Sequence, residues 1–138
     1  MIKYENLYSV SIILPILNEI NSLKKTRKIL NKINIRKEYL IIFSNKLTSS
    51  EVKKEIFNLK KKYKNILLKP QQRPFVGGAI DLGIKLAKKK YIVIMASDLE
   101  TNPHELKKMI KISKKNPDSI ISADRWISQK GFNNYGII

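Results

Sequence analysis

The sequence predicts a single α/β domain over residues 1–138, with a mostly parallel sheet of about five strands and helices on both faces. Short apolar segments alternate with amphipathic segments of helical period, which is typical of repeated strand–helix units. The intervals are long enough for helical crossovers, so the connections are expected to be right-handed and neighbouring strands parallel. Residues 91–95 form an apolar run without polar alternation, which favours a central strand covered on both faces.

Each strand is expected where an apolar segment ends at a turn residue. The strands are predicted to begin near residues 8, 39, 65, 91 and 119. Pro15 ends the first strand, because proline has no N–H to donate to a sheet ladder. An amphipathic helix over about residues 19–33 follows, with Asn18 as its expected cap. Thr48 and Glu51 have the spacing of a capping box and predict the start of the second helix.

Acidic residues follow the fourth strand directly. Asp98 and Glu100 are two positions apart, so their carboxylates can converge on one hard divalent cation. Asn102 and Pro103 suit the start of a helix, which leaves the acids in a turn at the carboxyl end of the strand, where α/β sheets bind ligands. The alternative is that Asp98 serves only as a turn former or helix cap. These residues by themselves leave both interpretations open.

Two further segments are candidates for ligand contact. The adjacent glycines Gly77 and Gly78 allow close approach of the backbone to a ligand or to a neighbouring element. The tail at residues 124–136 is aromatic, glycine-bearing and without helical period, so it is expected to form a loop over the carboxyl edge of the sheet. In that tail Arg125 and Trp126 could bind a phosphate and a ring, or could close the rim of the core.

Composition narrows the class of protein without assigning a function. The net charge of +17 suggests an anionic partner, but lysines occur throughout the chain together with an excess of Asn and Ile, so a solvated surface accounts for most of them. Nucleic acid is not the expected partner, because clustered Arg and an aromatic stripe are missing from the sequence. The absence of cysteine excludes a thiolate metal site and fits a cytoplasmic, reducing compartment.

Five segments, taken in order, resemble the nucleotide-sugar-dependent glycosyltransferases of family 2, which have the GT-A fold. The resemblance covers about residues 10–136. Residues 11–19 resemble the opening strand and the turn that contacts the nucleotide, and residues 93–103 resemble the Asp-x-Asp region. Residues 41–48 resemble the second strand with its base-contacting turn. Residues 77–83 resemble the helix start beneath the donor, and residues 122–126 resemble the segment near the diphosphate.

The resemblance implies metal-assisted, inverting transfer of a sugar from a nucleoside-diphosphate sugar. It implies that Asp98 and Glu100 hold Mg²⁺ or Mn²⁺ and that Arg125 adds positive charge at the diphosphate. The residues that would contact the nucleotide are Pro15, Asn18, Glu19, Ser44, Asn45, Gly77 and Gly78. The acceptor would be a polyprenyl phosphate or a glycan precursor in cell-envelope polysaccharide or glycolipid biosynthesis. The protein would then be cytoplasmic, with a peripheral position at the inner face of the membrane as a further expectation.

Several positions depart from the family pattern. Ala96 replaces the first acid of Asp-x-Asp, Leu17 replaces a tyrosine, and Ser44 and Asn45 replace the usual acids after the second strand. The domain is also expected to lack the C-terminal part that binds the acceptor. The alternative hypothesis is therefore a catalytically inactive, truncated domain that still folds and binds a nucleotide.

Overall fold

The structure is a computed structural model that describes residues 9–123. The chain divides into two compact units, of which the first ends at His104 and the second begins at Glu105. The first unit contains the sheet and three helices. In the second unit, α4 (Leu106–Lys115) follows a short 3₁₀ helix, Pro103–Glu105, that crosses the boundary. The prediction of one domain over residues 1–138 remains a prediction.

Four parallel strands form the sheet among the described residues. They are β1 (Ser9–Ile16), β2 (Arg36–Phe43), β3 (Ile66–Pro70) and β4 (Tyr91–Ile94), in the order β3-β2-β1-β4. In the register, Ile13 lies beside Leu40 of β2 and Ile94 of β4. β1 and β2 are eight residues each, and six residues of β1 and the last five of β2 are buried, so the middle of the sheet forms the core.

Helices cover both faces of the sheet, because the crossovers from β1 to β3 run in one direction along the sheet and the crossover from β3 to β4 runs in the other. The helices of this unit are α1 (Ile20–Asn31), α2 (Ser50–Lys62) and α3 (Phe75–Leu86). α1 and α2 lie on the face of Tyr39, whose hydroxyl donates to Asn31 Oδ1 at 2.6 Å and whose pKa is raised by burial. α3 lies on the opposite face, where Ala79 packs with Ile13, Leu40 and Ile42. The predicted class, an α/β fold with a parallel sheet and helices on both faces, is confirmed.

The predicted fifth strand is wrong. The described residues 119–123 contain no strand, and the side chain of Ile120 in that segment is 98% exposed. The alternation of Ser and Ile gives the segment β-propensity, but a strand forms only where it pairs with another. Within residues 9–123 the segment has no such partner.

The central position predicted for the fourth strand is also wrong. β4 pairs with β1 alone and is an edge strand within the described part of the chain. Ile92 and Ile94 point to the face that α3 covers elsewhere, yet they remain 46% and 50% exposed. A continuous apolar run is typical of burial on both faces, but here α3 packs mainly on β1 and β2 and leaves Ile92 and Ile94 half exposed.

Two predicted helix caps shift by one residue. Ser49, rather than Thr48, caps α2 and accepts a hydrogen bond from the N–H of Val52 at 3.2 Å. Glu19, rather than Asn18, occupies the cap position of α1. Thr48 and Asn18, which were expected to be the caps, instead form hydrogen bonds that fix loops at the carboxyl edge of the sheet.

Candidate functional site

A cleft of about 830 Å³ lies at the carboxyl edge of the sheet. Parallel strands bring their carboxyl ends to one edge, so the loops that follow them become neighbours although they are distant in sequence. Segments that follow all four strands contribute to the walls, together with the last residues of β1 and β4, and the first two turns of α3 form one side. The lining residues are Pro15–Leu17, Glu19, Ser44–Leu47, Gln71–Val76, Ala79, Ile80 and Ile94–Asp98.

The turn after β1 is closed by the side chain of Glu19. Glu19 Oε2 accepts hydrogen bonds from the N–H groups of Leu17 and Asn18 at 2.9 and 3.1 Å. Glu19 and Pro15 line the cleft, as a nucleotide-contacting role requires. Because two backbone donors already hold the Glu19 carboxylate, this acid shapes the turn as well as the wall of the cleft.

Asn18 ties two loops together and is not among the lining residues. Its Nδ2 donates to the carbonyl of Leu47 at 3.2 Å, and its Oδ1 accepts from the N–H of Ser49 at 2.9 Å. An amide suits this position because it donates and accepts at once. The geometry gives Asn18 a positioning role at the junction of the loops after β1 and β2.

The loop after β2 is fixed by its own hydroxyl groups. Ser44 Oγ accepts from the N–H of Leu47 at 3.1 Å, and the buried Thr48 Oγ1 accepts from the N–H of Ser44 at 3.0 Å. Lys53 Nζ donates to the carbonyl of Asn45 at 2.6 Å. These bonds hold Ser44 and Asn45 at the wall of the cleft, where both were predicted to contact a nucleotide.

The acidic turn after β4 is held to the end of β1. Ser97 is buried, and its Oγ donates to the carbonyl of Pro15 at 2.7 Å. Asp98 Oδ1 then accepts from the N–H of Glu100 at 3.0 Å, which closes a turn through Leu99 at a φ of 69°. Leu99 therefore has a left-handed backbone, which a branched side chain seldom adopts. Asp98 thus forms the turn and also lines the cleft, so both interpretations of this residue have support.

The donor set predicted for a metal consists of the two acids Asp98 and Glu100. Within residues 9–123, no group of three or more His, Asp or Glu side chains is arranged to hold a metal ion. Asp98 and Glu100 are both exposed and offer carboxylate oxygens, which suit Mg²⁺ or Mn²⁺ when phosphate oxygens supply other ligands. Of the two, Asp98 lines the cleft and Glu100 is not among its lining residues.

The two glycines have different surroundings, and neither is among the lining residues. An added Cβ would meet no atom within 4 Å at Gly77, whereas at Gly78 it would be 2.2 Å from the carbonyl oxygen of Arg73. Gly78 therefore allows close approach of a neighbouring loop, which was one of the two expectations for this pair. The predicted site residue Arg125 lies outside the described residues.

The loop after β3 contributes residues to which the sequence analysis gave no role. Gln71 and Arg73 line the cleft together with Phe75 at the start of α3. The Arg73 guanidinium lies 3.6 Å from Asp81, whose pKa is lowered by a hydrogen bond from Lys85 at 2.8 Å. The rule that was applied to the acidic turn after the fourth strand would have found this loop, because it also follows the carboxyl end of a parallel strand.

Fold and cleft together define an α/β domain whose ligand-binding edge is built from the loops after parallel strands. Comparison with known families gives a match to Glycosyl transferase family 2 over residues 11–137. The chain belongs to this family, and its parallel sheet is that of a GT-A, Rossmann-like fold. No curated protein matches the chain.

Proposed function

We propose that this domain binds a nucleoside-diphosphate sugar in the cleft and transfers the sugar to an acceptor with inversion. The observation that carries this proposal is the convergence of five predicted donor-site residues on one cleft, namely Pro15, Glu19, Ser44, Asn45 and Asp98. They come from three separate strand ends, so sequence proximity does not explain why they meet. Membership of Glycosyl transferase family 2 supports glycosyl transfer as the type of reaction.

The acidic turn is the proposed place of the diphosphate. Asp98 and Glu100 would hold Mg²⁺ or Mn²⁺, which supplies positive charge to the leaving diphosphate. Arg73 and Lys46 are cationic side chains at the wall of the cleft and would add to the field that attracts the anionic donor. Arg125 is proposed to act on the same diphosphate oxygens. In the reaction, an acceptor oxygen bonds to the anomeric carbon while the bond to the diphosphate breaks, and the diphosphate leaves with the electron pair.

The carboxylates that line the cleft bear on the type of acceptor. Glu19 is engaged by two backbone N–H groups, and Asp98 is assigned to the metal. A hydroxyl acceptor needs a group that removes its proton, whereas a phosphate acceptor is already ionised. This favours a polyprenyl phosphate over a glycan precursor as the proposed acceptor.

The distribution of charge supports a peripheral position at an anionic membrane surface, such as the inner face of the cytoplasmic membrane. α1 and α2, which share one face, carry nine basic and two acidic side chains, a net charge of +7, whereas α3 carries one of each. Anionic lipids attract such lysine-rich surfaces without needing a defined geometry. In the described part of the chain no helix is long and apolar enough to cross a bilayer.

Sedimentation with vesicles tests the proposed membrane association: binding should require anionic lipid and decrease at high salt.

The proposal is tested by Mn²⁺-dependent binding of UDP and GDP, measured by calorimetry on the wild type and the Asp98→Asn variant. Removing a charged ligand should weaken binding of the preferred nucleotide by tenfold or more, since such a contact contributes roughly 1.5–3 kcal/mol. Asp118→Asn is the matched control, because Asp118 is exposed and lies outside the cleft. The melting temperature without metal should be the same for all three proteins. Equal nucleotide affinity of the wild type and Asp98→Asn would contradict the metal assignment.

A second candidate function is nucleotide binding without turnover. Ala96 favours it, because this side chain lines the cleft at the position where the family pattern has an acid. Release of sugar or UDP from a nucleotide sugar in the presence of Mn²⁺ distinguishes the two functions. Binding without release, in the presence of candidate phosphate acceptors, would support the inactive domain.

A further inference from the structure

Phe75 is the most unusual residue at the cleft. It is the first residue of α3, its φ is 65°, and its side chain is 84% exposed. A left-handed backbone is rare for a residue with a bulky side chain. Because the ring is mostly exposed, hydrophobic burial of the ring contributes little to the stability of the fold. Within residues 9–123 the other non-glycine residue with a positive φ is Leu99 in the acidic turn. Strained backbone of this kind is concentrated at functional sites.

The loop before Phe75 is held in place by several contacts. The N–H of Gln71 donates to the carbonyl of Phe43 at 2.8 Å, which attaches the loop to the end of β2. Gln71 Nε2 donates to the carbonyls of Arg73 and Phe75 at 2.7 and 3.1 Å. The Arg73 carbonyl also packs against Gly78, where a Cβ could not fit. The loop therefore fixes the backbone of Phe75 and directs its side chain away from the core.

The position of Phe75 along the cleft indicates what its ring would contact. The strand order places the acidic turn after β4 at one end of the carboxyl edge and the loop after β3 at the other. Three strand spacings of about 4.8 Å separate β3 from β4, or about 14 Å. A nucleotide whose diphosphate lies at Asp98 would extend its base towards β2 and β3. Phe75 lines that part of the cleft, as does the exposed Leu47 after β2.

We propose that the Phe75 ring stacks on the nucleobase of the donor and contributes to the affinity of the site for nucleotides. This inference rests on the proposed function, because it requires a nucleotide in the cleft. Base–aromatic stacking tolerates any planar base, so the ring supplies affinity for the nucleoside end of the donor while the acidic turn binds its other end. The positive φ of Phe75 is retained because a residue with an unstrained backbone would not present the ring at the nucleoside end of the cleft.

The test compares Phe75→Ala and Phe75→Gly with the wild type in binding UDP, GDP and inorganic pyrophosphate in the presence of Mn²⁺. Loss of the ring should weaken binding of the preferred nucleotide about tenfold, equal to about 1.4 kcal/mol, and leave pyrophosphate affinity unchanged. Phe75→Gly should in addition melt at a higher temperature than Phe75→Ala, because glycine adopts a positive φ without strain. Phe75→Trp should retain nucleotide affinity. Phe57→Ala is the control, because Phe57 is an exposed phenylalanine on α2 outside the cleft.

Each outcome has a distinct meaning. If the wild type binds neither nucleotide nor pyrophosphate, the proposed function fails and the inference fails with it. If the wild type binds UDP or GDP and Phe75→Ala binds it equally well, the inference alone is overturned. Equal losses of nucleotide and pyrophosphate affinity would also overturn it, because they would show that the ring maintains the loop and does not contact the base. Retained nucleotide affinity together with lost binding of a lipid phosphate would assign the ring to the acceptor instead.

Discussion

Adjacent glycines in the first turn of α3 allow a matched pair of substitutions, Gly77→Ala and Gly78→Ala. Both replace glycine by alanine within the same helix, Phe75–Leu86, and they are one residue apart. At Gly77 the new methyl group would have no neighbour within 4 Å. At Gly78 it would lie 2.2 Å from the carbonyl oxygen and 2.6 Å from the carbonyl carbon of Arg73. The structure therefore predicts opposite effects on stability.

The magnitudes follow from two terms. Alanine is favoured over glycine in a helix by about 0.5–1 kcal/mol, so Gly77→Ala should raise the free energy of unfolding by about that amount. At Gly78 the Arg73 carbonyl oxygen would have to move by about 0.8 Å to restore a contact of 3.0 Å. Overpacking of this kind costs about 1–3 kcal/mol, and the gain in helix propensity offsets part of it. Gly78→Ala should therefore be less stable than Gly77→Ala by about 1–3 kcal/mol.

Urea unfolding of the two variants and the wild type measures this difference directly. A change in the midpoint at constant slope identifies a change in stability, and each kcal/mol should shift the melting temperature by roughly 4 °C for a domain of this size. Displacement of Arg73 would also move the loop that holds Phe75, so Gly78→Ala should bind nucleotide more weakly than Gly77→Ala. If Gly78→Ala is as stable as Gly77→Ala, the close approach of the loop to the helix is wrong.

Two further predictions concern the diphosphate end of the cleft. Ala96→Asp should tighten Mn²⁺-dependent UDP or GDP binding about tenfold, because Ala96 lines the cleft beside Asp98 and a third carboxylate adds a ligand. Weaker binding with a lower melting temperature would place the new carboxylate against the protein instead. Arg125→Ala should weaken the same binding by about tenfold through loss of a charge-assisted contact, and unchanged affinity in calorimetry would exclude Arg125 from the site.

The sequence was sufficient to predict the alternation of strands and helices, because each signal is local. The apolar segments that became β2 and β3 end beside turn residues, and the amphipathic helices between the strands set the strand direction. The predicted end of β1 at Pro15 is wrong, because β1 continues through Pro15 to Ile16, which lie beside Ile42 and Phe43 of β2. Whether a segment pairs with another strand depends on residues that are distant in the sequence. Nothing within residues 119–123 shows whether another strand lies beside them, and the run at β4 has the same composition at an edge as in the middle of a sheet. The two wrong predictions of strand existence and strand position therefore fall on segments whose state depends on a neighbour.

In the cleft, too, local sequence predicts some features, whereas others depend on which segments the fold brings together. The carboxyl end of a parallel strand predicted a ligand site at Asp98, the family resemblance predicted Ser44 and Asn45 at the nucleotide, and the structure places all three at one cleft. Individual contacts could not be predicted in this way. Asn18 bonds to a loop about thirty residues later, and only the folded chain brings the Arg73 carbonyl against Gly78. The role of each residue in binding a nucleotide stays a prediction until binding is measured.

Strain in this cleft is found in the loops and not in the sheet. Both non-glycine residues with a positive φ among residues 9–123 belong to segments that follow strands, Phe75 after β3 and Leu99 after β4. The central strands β1 and β2 have a buried apolar core and no positive φ, so they fix the width of the cleft without such strain. Its two ends are set by side chains that bond to backbone, Gln71 at one end and Asp98 at the other. A substitution at either residue can therefore alter ligand contacts while the sheet stays intact, so specificity in this domain can change through its loops.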